Sequence, residues 1–224
     1  MIIVECEQRT PEWYEARLGV VTASELDRIL TPVELKKSTQ AAAYRYRLLA
    51  EWLTGKPHES YSEGEWMKRG TELEDEARRY YEALTDKELR QVGFIYHDDT
   101  MLVGCSPDAI EERNGKIVGG LEIKVPAPGT HVSYLLADRL PREYILQVQG
   151  QMFVTGAGTW DWLSYHPDMK PVLLTVKRDE RIIDALQLAL DDFLATMLRE
   201  RELLAARGSV KEALVASLEV LASQ

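Results

Sequence analysis

A chain of 224 residues, 45% hydrophobic and 29% charged, has the make-up to bury one substantial core, so a single domain over residues 1–224 is the expectation. No run approaches the roughly eighteen apolar residues of a membrane helix, and residues 1–5 are too few for a signal peptide, which points to a cytoplasmic, soluble protein. Two cysteines, Cys6 and Cys105, define no disulfide framework or zinc quartet, and a net charge of −10 argues against indiscriminate binding to a polyanion.

In chain order, Thr10-Pro11 opens a helix with Thr10 as N-cap and Pro11 at its first position, ending near Gly19. Thr22-Ala-Ser-Glu25 reads as a capping box and starts a second helix to about Leu30. Ser24 then sits in a first turn, where free backbone N–H groups attract anions, and Arg17 precedes it across a tight turn. The pair could hold a terminal phosphate; from the residues alone, an ordinary cap and a surface arginine is the simpler reading. Residues 38–54 form a helix stopped by Gly55-Lys-Pro57, with Tyr44, Leu48 and Trp52 facing a core and Arg45 and Arg47 pointing away.

A long helix runs from Ser62 to about Leu84, with Trp66, Gly70, Leu73, Ala77, Tyr80, Tyr81 and Leu84 in one helical stripe and Glu74 inside it. Gly70 would let that helix approach the sheet closely. Basic residues cluster at Lys36-Lys37, Arg45 and Arg47, Lys68-Arg69 and Arg78-Arg79. A nucleic acid would have to meet those faces, although helical charge runs are more often simply solvated.

Residues 87–97, 101–110 and 116–125 read as three strands, turning at Asp98-Asp99 and at the hairpin signal Asn114-Gly115. A short helix follows over residues 130–136, and another over residues 141–155 puts Gln147 and Gln151 on one face, Val148 and Met152 on the other. Residues 160–165 and 171–176 are strands four and five, and residues 179–207 a long amphipathic helix. Beyond Gly208, Val210, Leu214, Leu218 and Leu221 form an apolar stripe on a C-terminal helical tail (residues 207–224), packed on the body or used between subunits. The class is α/β, a central mixed sheet of about five strands flanked by helices.

The chemistry concentrates in Gly104-Cys-Ser-Pro-Asp-Ala-Ile110 and Gly119-Gly-Leu-Glu-Ile-Lys-Val-Pro126. On a strand, side chains two apart share a face, so Glu122 and Lys124 point together while Leu121, Ile123 and Val125 face the opposite layer. Asp108 falls on the neighbouring strand. A surface salt-bridge cluster would use the same three residues. So would a hard-cation site, with Asp108, Glu122 and the Ile123 carbonyl as oxygen donors and Lys124 free to orient or deprotonate a water.

The spacing Asp108, thirteen residues, Glu122-Ile-Lys124 matches the Asp-(x)n-Glu-x-Lys core of restriction-endonuclease-like nucleases. With Trp13-Tyr-Glu-Ala-Arg-Leu-Gly-Val-Val-Thr-Ala-Ser-Glu25, Gly70-Thr-Glu-Leu-Glu74, Cys105-Ser-Pro-Asp108 and Gln147-Val-Gln149, the chain resembles the phage lambda exonuclease and YqaJ-type viral recombinase family from about Pro11 to Lys177. The resemblance implies a restriction-endonuclease-like core and Mg²⁺-dependent, processive 5′→3′ digestion of double-stranded DNA ends to 5′-mononucleotides, leaving a 3′ single strand for recombination. It implies two Mg²⁺ per site, replaceable by Mn²⁺: Asp108 bridging, Glu122 and the Ile123 carbonyl completing one ion, Glu74 serving the other, and Lys124 placing the water. It assigns Gln147 to the catalytic phosphate or water network, and Arg17, Ser24, Ser106 and Gln147 to the 5′-phosphate. A homotrimeric ring and a single-strand annealing protein are its implied partners, with no membrane. A repair or structure-specific endonuclease with the same core, and a non-catalytic DNA-recombination scaffold, stay as alternatives.

Overall fold

The computed structural model describes residues 1–57 and 65–208, without the side chains of residues 65–72. The expected stripe positions Trp66 and Gly70, the basic pair Lys68-Arg69, the helix start at Ser62 and the tail positions Val210, Leu214, Leu218 and Leu221 lie outside these descriptions.

Strand β1 (Ile2–Val4) leads to helix α1 (Pro11–Arg17), short strand β2 (Val21–Thr22) and a 3-10 helix (Ala23–Arg28). Helices α2 (Ala41–Thr54) and α3 (Glu65–Thr85) follow, then β3 (Phe94–Tyr96), β4 (Val103–Cys105), β5 (Ala109–Arg113) and β6 (Lys116–Lys124). Helices α4 (Pro128–Ala137) and α5 (Arg142–Thr155), strands β7 (Thr159–Ser164) and β8 (Val172–Lys177), and helix α6 (Glu180–Ala206) complete the order.

Among the described residues, eight strands form two mixed four-stranded sheets, β1-β3-β4-β2 and β5-β6-β7-β8, where the sequence suggested one sheet of about five. The expected strand over residues 101–110 is in fact two, β4 in the first sheet and β5 in the second. The break falls at Ser106-Pro107-Asp108, where Pro107 has no N–H to give a ladder. Asp108 therefore sits just before β5 rather than within a strand. The Asn114-Gly115 hairpin forms as expected, with φ of 53° and 71°, the positive pair that a tight two-residue turn requires.

The second sheet is covered on both faces. Leu121, Ile123 and Leu163 pack with Ala77 and Tyr81 of α3, while Trp160 and Trp162 join Leu146, Val148 and Met152 of α5 in the main core. Helix α5 also contacts β4 and the 3-10 helix, so it is the element that spans both sheets. Along α3 the expected stripe holds at Ala77 and Tyr81, which are buried, but Tyr80 and Leu84 are exposed. Tyr80 lies to one side of the Ala77–Tyr81 line, and Leu84 is in the last turn of the helix.

The Thr10 N-cap forms, its side chain accepting from the Trp13 N–H. The expected Thr22 capping box does not. Thr22 makes no side-chain cap bond, its own N–H donates to the Tyr44 hydroxyl, and Glu25 pairs with Arg28 and Arg47 instead of reaching back. A kinked 3-10 helix results, with Glu25 outside helical backbone angles. Arg45 and Arg47 likewise do not point away: Arg45 pairs with Glu200 at 2.6 Å and Arg47 with Glu25.

Candidate active site

Strand β6 delivers the central carboxylate. Glu122 is only 3% exposed, and three donors converge on it: Lys124 Nζ at 2.5 Å and Gln147 Nε2 at 2.6 Å on Oε1, and Gln151 Nε2 at 2.5 Å on Oε2. Period two on β6 supplies the lysine, and one helical turn of α5 supplies both amides. The Lys124 ammonium also lies 5.0 Å from the centre of the Tyr144 ring, which itself tilts against Trp162. Burial opposes the ammonium charge, but Glu122 and Asp108 outweigh it and hold Lys124 above the ordinary lysine range.

Asp108 stands abreast of Glu122, because Ala109 is in register with Leu121. Its Oδ2 accepts the Ile123 N–H at 2.5 Å. The Lys124 carbonyl accepts from Tyr165 on the β7 side. Backbone groups alternate along a strand, so the Ile123 N–H and carbonyl both face Asp108. Burial first, then the Glu122 carboxylate and Glu74, push the Asp108 carboxyl well above the usual carboxylate range, against the pull of Lys124 and the Ile123 N–H.

Asp108 and Ile123 open onto a cleft of about 380 Å³ that Arg9, Glu74, Asp75 and Arg78 also line. Glu74 reaches it from α3, on the face of the sheet opposite Glu122, and both of its oxygens are engaged by the Arg9 guanidinium at 2.8 and 3.1 Å. Among the described residues, no three His, Cys, Asp or Glu side chains stand together as a ready-made metal cage. Glu74 thus shares the cleft of Asp108, while its carboxylate is held on Arg9.

The residues expected to meet the 5′-phosphate sort differently. Arg17 stacks over the Trp13 ring at 4.2 Å and donates to the Ser106 hydroxyl at 3.0 Å, which also accepts from Trp13 Nε1 at 2.8 Å. Ser24 is exposed and bonds to the Thr22 hydroxyl at 3.2 Å. Thr22 in turn borders a small cavity with Arg17, Glu25 and Arg47. Arg17 therefore meets Ser106 directly, and Ser24 only by way of Thr22.

From sequence Gln151 shares a face with Gln147 but carries no assigned role, and Arg9 is not picked out. The four-residue spacing from Gln147 was a readable sign for the first. Nothing local marks the second, whose partner lies 65 residues away. Cys105 is a small buried core residue, its thiol pushed up by burial.

A family model for the YqaJ-like viral recombinase domain matches residues 12–158. Among solved structures, the alkaline exonuclease LHK-Exo from Laribacter hongkongensis is 32% identical, with a TM-score of 0.78 over 89% of this chain and 98% of that one. LHK-Exo in complex with dAMP matches over the same shares with the same TM-score at 31% identity. A phage related exonuclease from Haemophilus somnus 129PT, at 13% identity and a TM-score of 0.62 over 84% of this chain and 96% of that one, shares the fold. An uncharacterized protein, R354, of Acanthamoeba polyphaga mimivirus is 26% identical over 72% of this chain, which spans only 29% of that protein's length. The match runs from α1 to α5 and so takes in Arg17, Ser106, Asp108, the Glu122-Ile-Lys124 strand and both glutamines; the chain belongs to the YqaJ-like viral recombinase family.

Proposed function

We propose that this protein is a Mg²⁺-dependent exonuclease that digests double-stranded DNA 5′→3′ from an end, releases 5′-mononucleotides and leaves a 3′ single strand for recombination by annealing. The observation that carries this reading is the convergence of Asp108, Glu122 and Lys124 at the end of the β5/β6 pair, beside a cleft of nucleotide size. Likeness to an alkaline exonuclease at 32% identity over nearly the whole chain supports it.

The donor set suits a hard cation. Two carboxylates and a backbone carbonyl are all oxygens, Mg²⁺ takes few protein carboxylates, and Asp108, whose carboxyl is pushed up by burial and then by the Glu122 carboxylate, stands abreast of that second oxygen donor. Asp108, Glu122 and the Ile123 carbonyl would hold one ion and Glu74 would serve a second. Mg²⁺ held there would supply Lewis-acid chemistry, polarising the phosphodiester and easing ionisation of a water. Lys124, kept charged by its carboxylate neighbours and seated on Tyr144, orients the attacking water and offsets charge developing on the phosphorane. Gln147 and Gln151 fix the rotamer of Glu122. Arg17 and Ser106, with Ser24 nearby, bind the 5′-phosphate, the guanidinium offering it a planar fork. The working assembly in this reading is a homotrimeric ring that hands the retained strand to a single-strand annealing protein, a view that rests on the family.

The test compares linear and circular duplex DNA with Mg²⁺ or EDTA, using 5′-labelled ends. Rapid loss of label as mononucleotide from linear DNA alone, abolished by EDTA, is expected. Nicking of the circle would replace this reading with an endonuclease.

A further inference from the structure

We propose that Arg9 is a second phosphate-binding arginine of the substrate cleft, and that in the ion-free protein it is parked on Glu74. The inference deepens the nuclease reading and rests on it. Arg9 lies between β1 and α1 with a left-handed backbone, φ 69°. The residue before it, Gln8, donates to the carbonyls of Pro107 at 2.8 Å and Val92 at 3.1 Å, so this loop is tied to the residue that immediately precedes Asp108. From there Arg9 lines the same cleft as Asp108 and Ile123, and its fork covers both oxygens of Glu74.

That arrangement leaves the Glu74 oxygens committed. An ion at Glu74 and a bidentate Arg9 compete for one carboxylate. The pair is a weak hold, its side chains 38% and 27% exposed. A guanidinium that fits a carboxylate with two parallel N–H groups fits two oxygens of a phosphodiester equally well. When divalent ion and DNA enter together, the ion takes Glu74 and the released fork takes the phosphate, so each charge keeps a partner. Arg78 borders the same cleft but bonds to Asp75 on its own helix at 2.6 Å, which keeps it off Glu74.

Arg9→Gln and Arg9→Lys test this with two binding measurements that need no turnover. Calorimetry with Mn²⁺ alone should show roughly two- to fivefold tighter uptake by Arg9→Gln than by wild type, because the competitor is gone. Fluorescence anisotropy with a 5′-phosphorylated duplex in Ca²⁺ should show binding about tenfold or more weaker for Arg9→Gln, with Arg9→Lys between the two, since it keeps the charge and loses the fork. Unchanged DNA affinity in Arg9→Gln would overturn the phosphate role, and unchanged Mn²⁺ uptake would overturn the parking on Glu74. A wild-type protein that neither takes up Mn²⁺ nor cuts linear duplex overturns the nuclease reading itself, which separates that failure from the other two.

Discussion

Replacing Gln151 by Met keeps the length and shape of a fully buried side chain and removes only its amide. The amide nitrogen holds Glu122 Oε2 at 2.5 Å, and the amide oxygen is buried with no partner among the described residues. Loss of the hydrogen bond to the buried Glu122 side chain, which also pairs with Lys124, costs about 1.5–3 kcal/mol, while removal of a buried carbonyl that lacks a partner returns about 1–3 kcal/mol. The two largely cancel, so the net change is about 2 kcal/mol or less, a fall of no more than roughly 4–8 °C in Tm for a chain of this size. Catalysis has no such compensation. Glu122 keeps its two donors on Oε1 and loses the one on Oε2, and loss of a partner that orients a metal ligand typically costs about 10- to 100-fold in activity or ion affinity. Thermal melts in EDTA, together with initial rates across a Mg²⁺ series, measure both quantities. A fall in Tm of more than about 10 °C, or wild-type rates at every Mg²⁺ concentration, would refute the reasoning.

Three further outcomes follow from the same coordinates. The folded protein holds the Asp108 proton more tightly than the unfolded chain does, so stability in EDTA should decline as pH rises above the ordinary carboxylate range. Asp108→Asn should flatten that decline in denaturant titrations and abolish cleavage; an unchanged pH slope would contradict the charge balance given for the site. Arg17→Ala removes the guanidinium that bonds Ser106 and should slow digestion of 5′-phosphorylated ends far more than of 5′-hydroxyl ends, with equal loss on both arguing against a phosphate pocket. A Cβ at Gly120 would stand 2.3 Å from ring atoms of the fully buried Trp160, so Gly120→Ala should cost about 1–3 kcal/mol or more through overpacking, and an unaltered melt would count against that close approach.

What the sequence made legible was local and periodic. The two-residue period of β6 put Glu122 and Lys124 on one side and Leu121 and Ile123 on the other, and the ammonium does bond the carboxylate while the apolar pair packs on α3. Asn114-Gly115 and Thr10-Pro11 announced their turn and cap for equally local reasons. What stayed hidden depended on contacts distant in sequence. Tyr44 and Arg47 of α2 satisfy Thr22 and Glu25 and so dissolve a capping box that is sound on its own terms. Basic residues that suggested nucleic-acid faces are in part spent within the fold, Arg45 on Glu200 and Lys37 on Asp192, each 155 residues away. The split of one expected strand between two sheets falls at Pro107, which is plain in the sequence, but the sheet that takes each half is decided by pairing with distant strands.

The account stands on Asp108, Glu122 and the Ile123 carbonyl forming a divalent-ion site, and anomalous diffraction from crystals soaked in Mn²⁺ measures that most directly. A peak within bonding distance of the Asp108 and Glu122 carboxylates and the Ile123 carbonyl, absent in Asp108→Asn crystals soaked alike, is the predicted result. Ordered side chains with no peak between them, or a peak confined to surface carboxylates elsewhere, would contradict it.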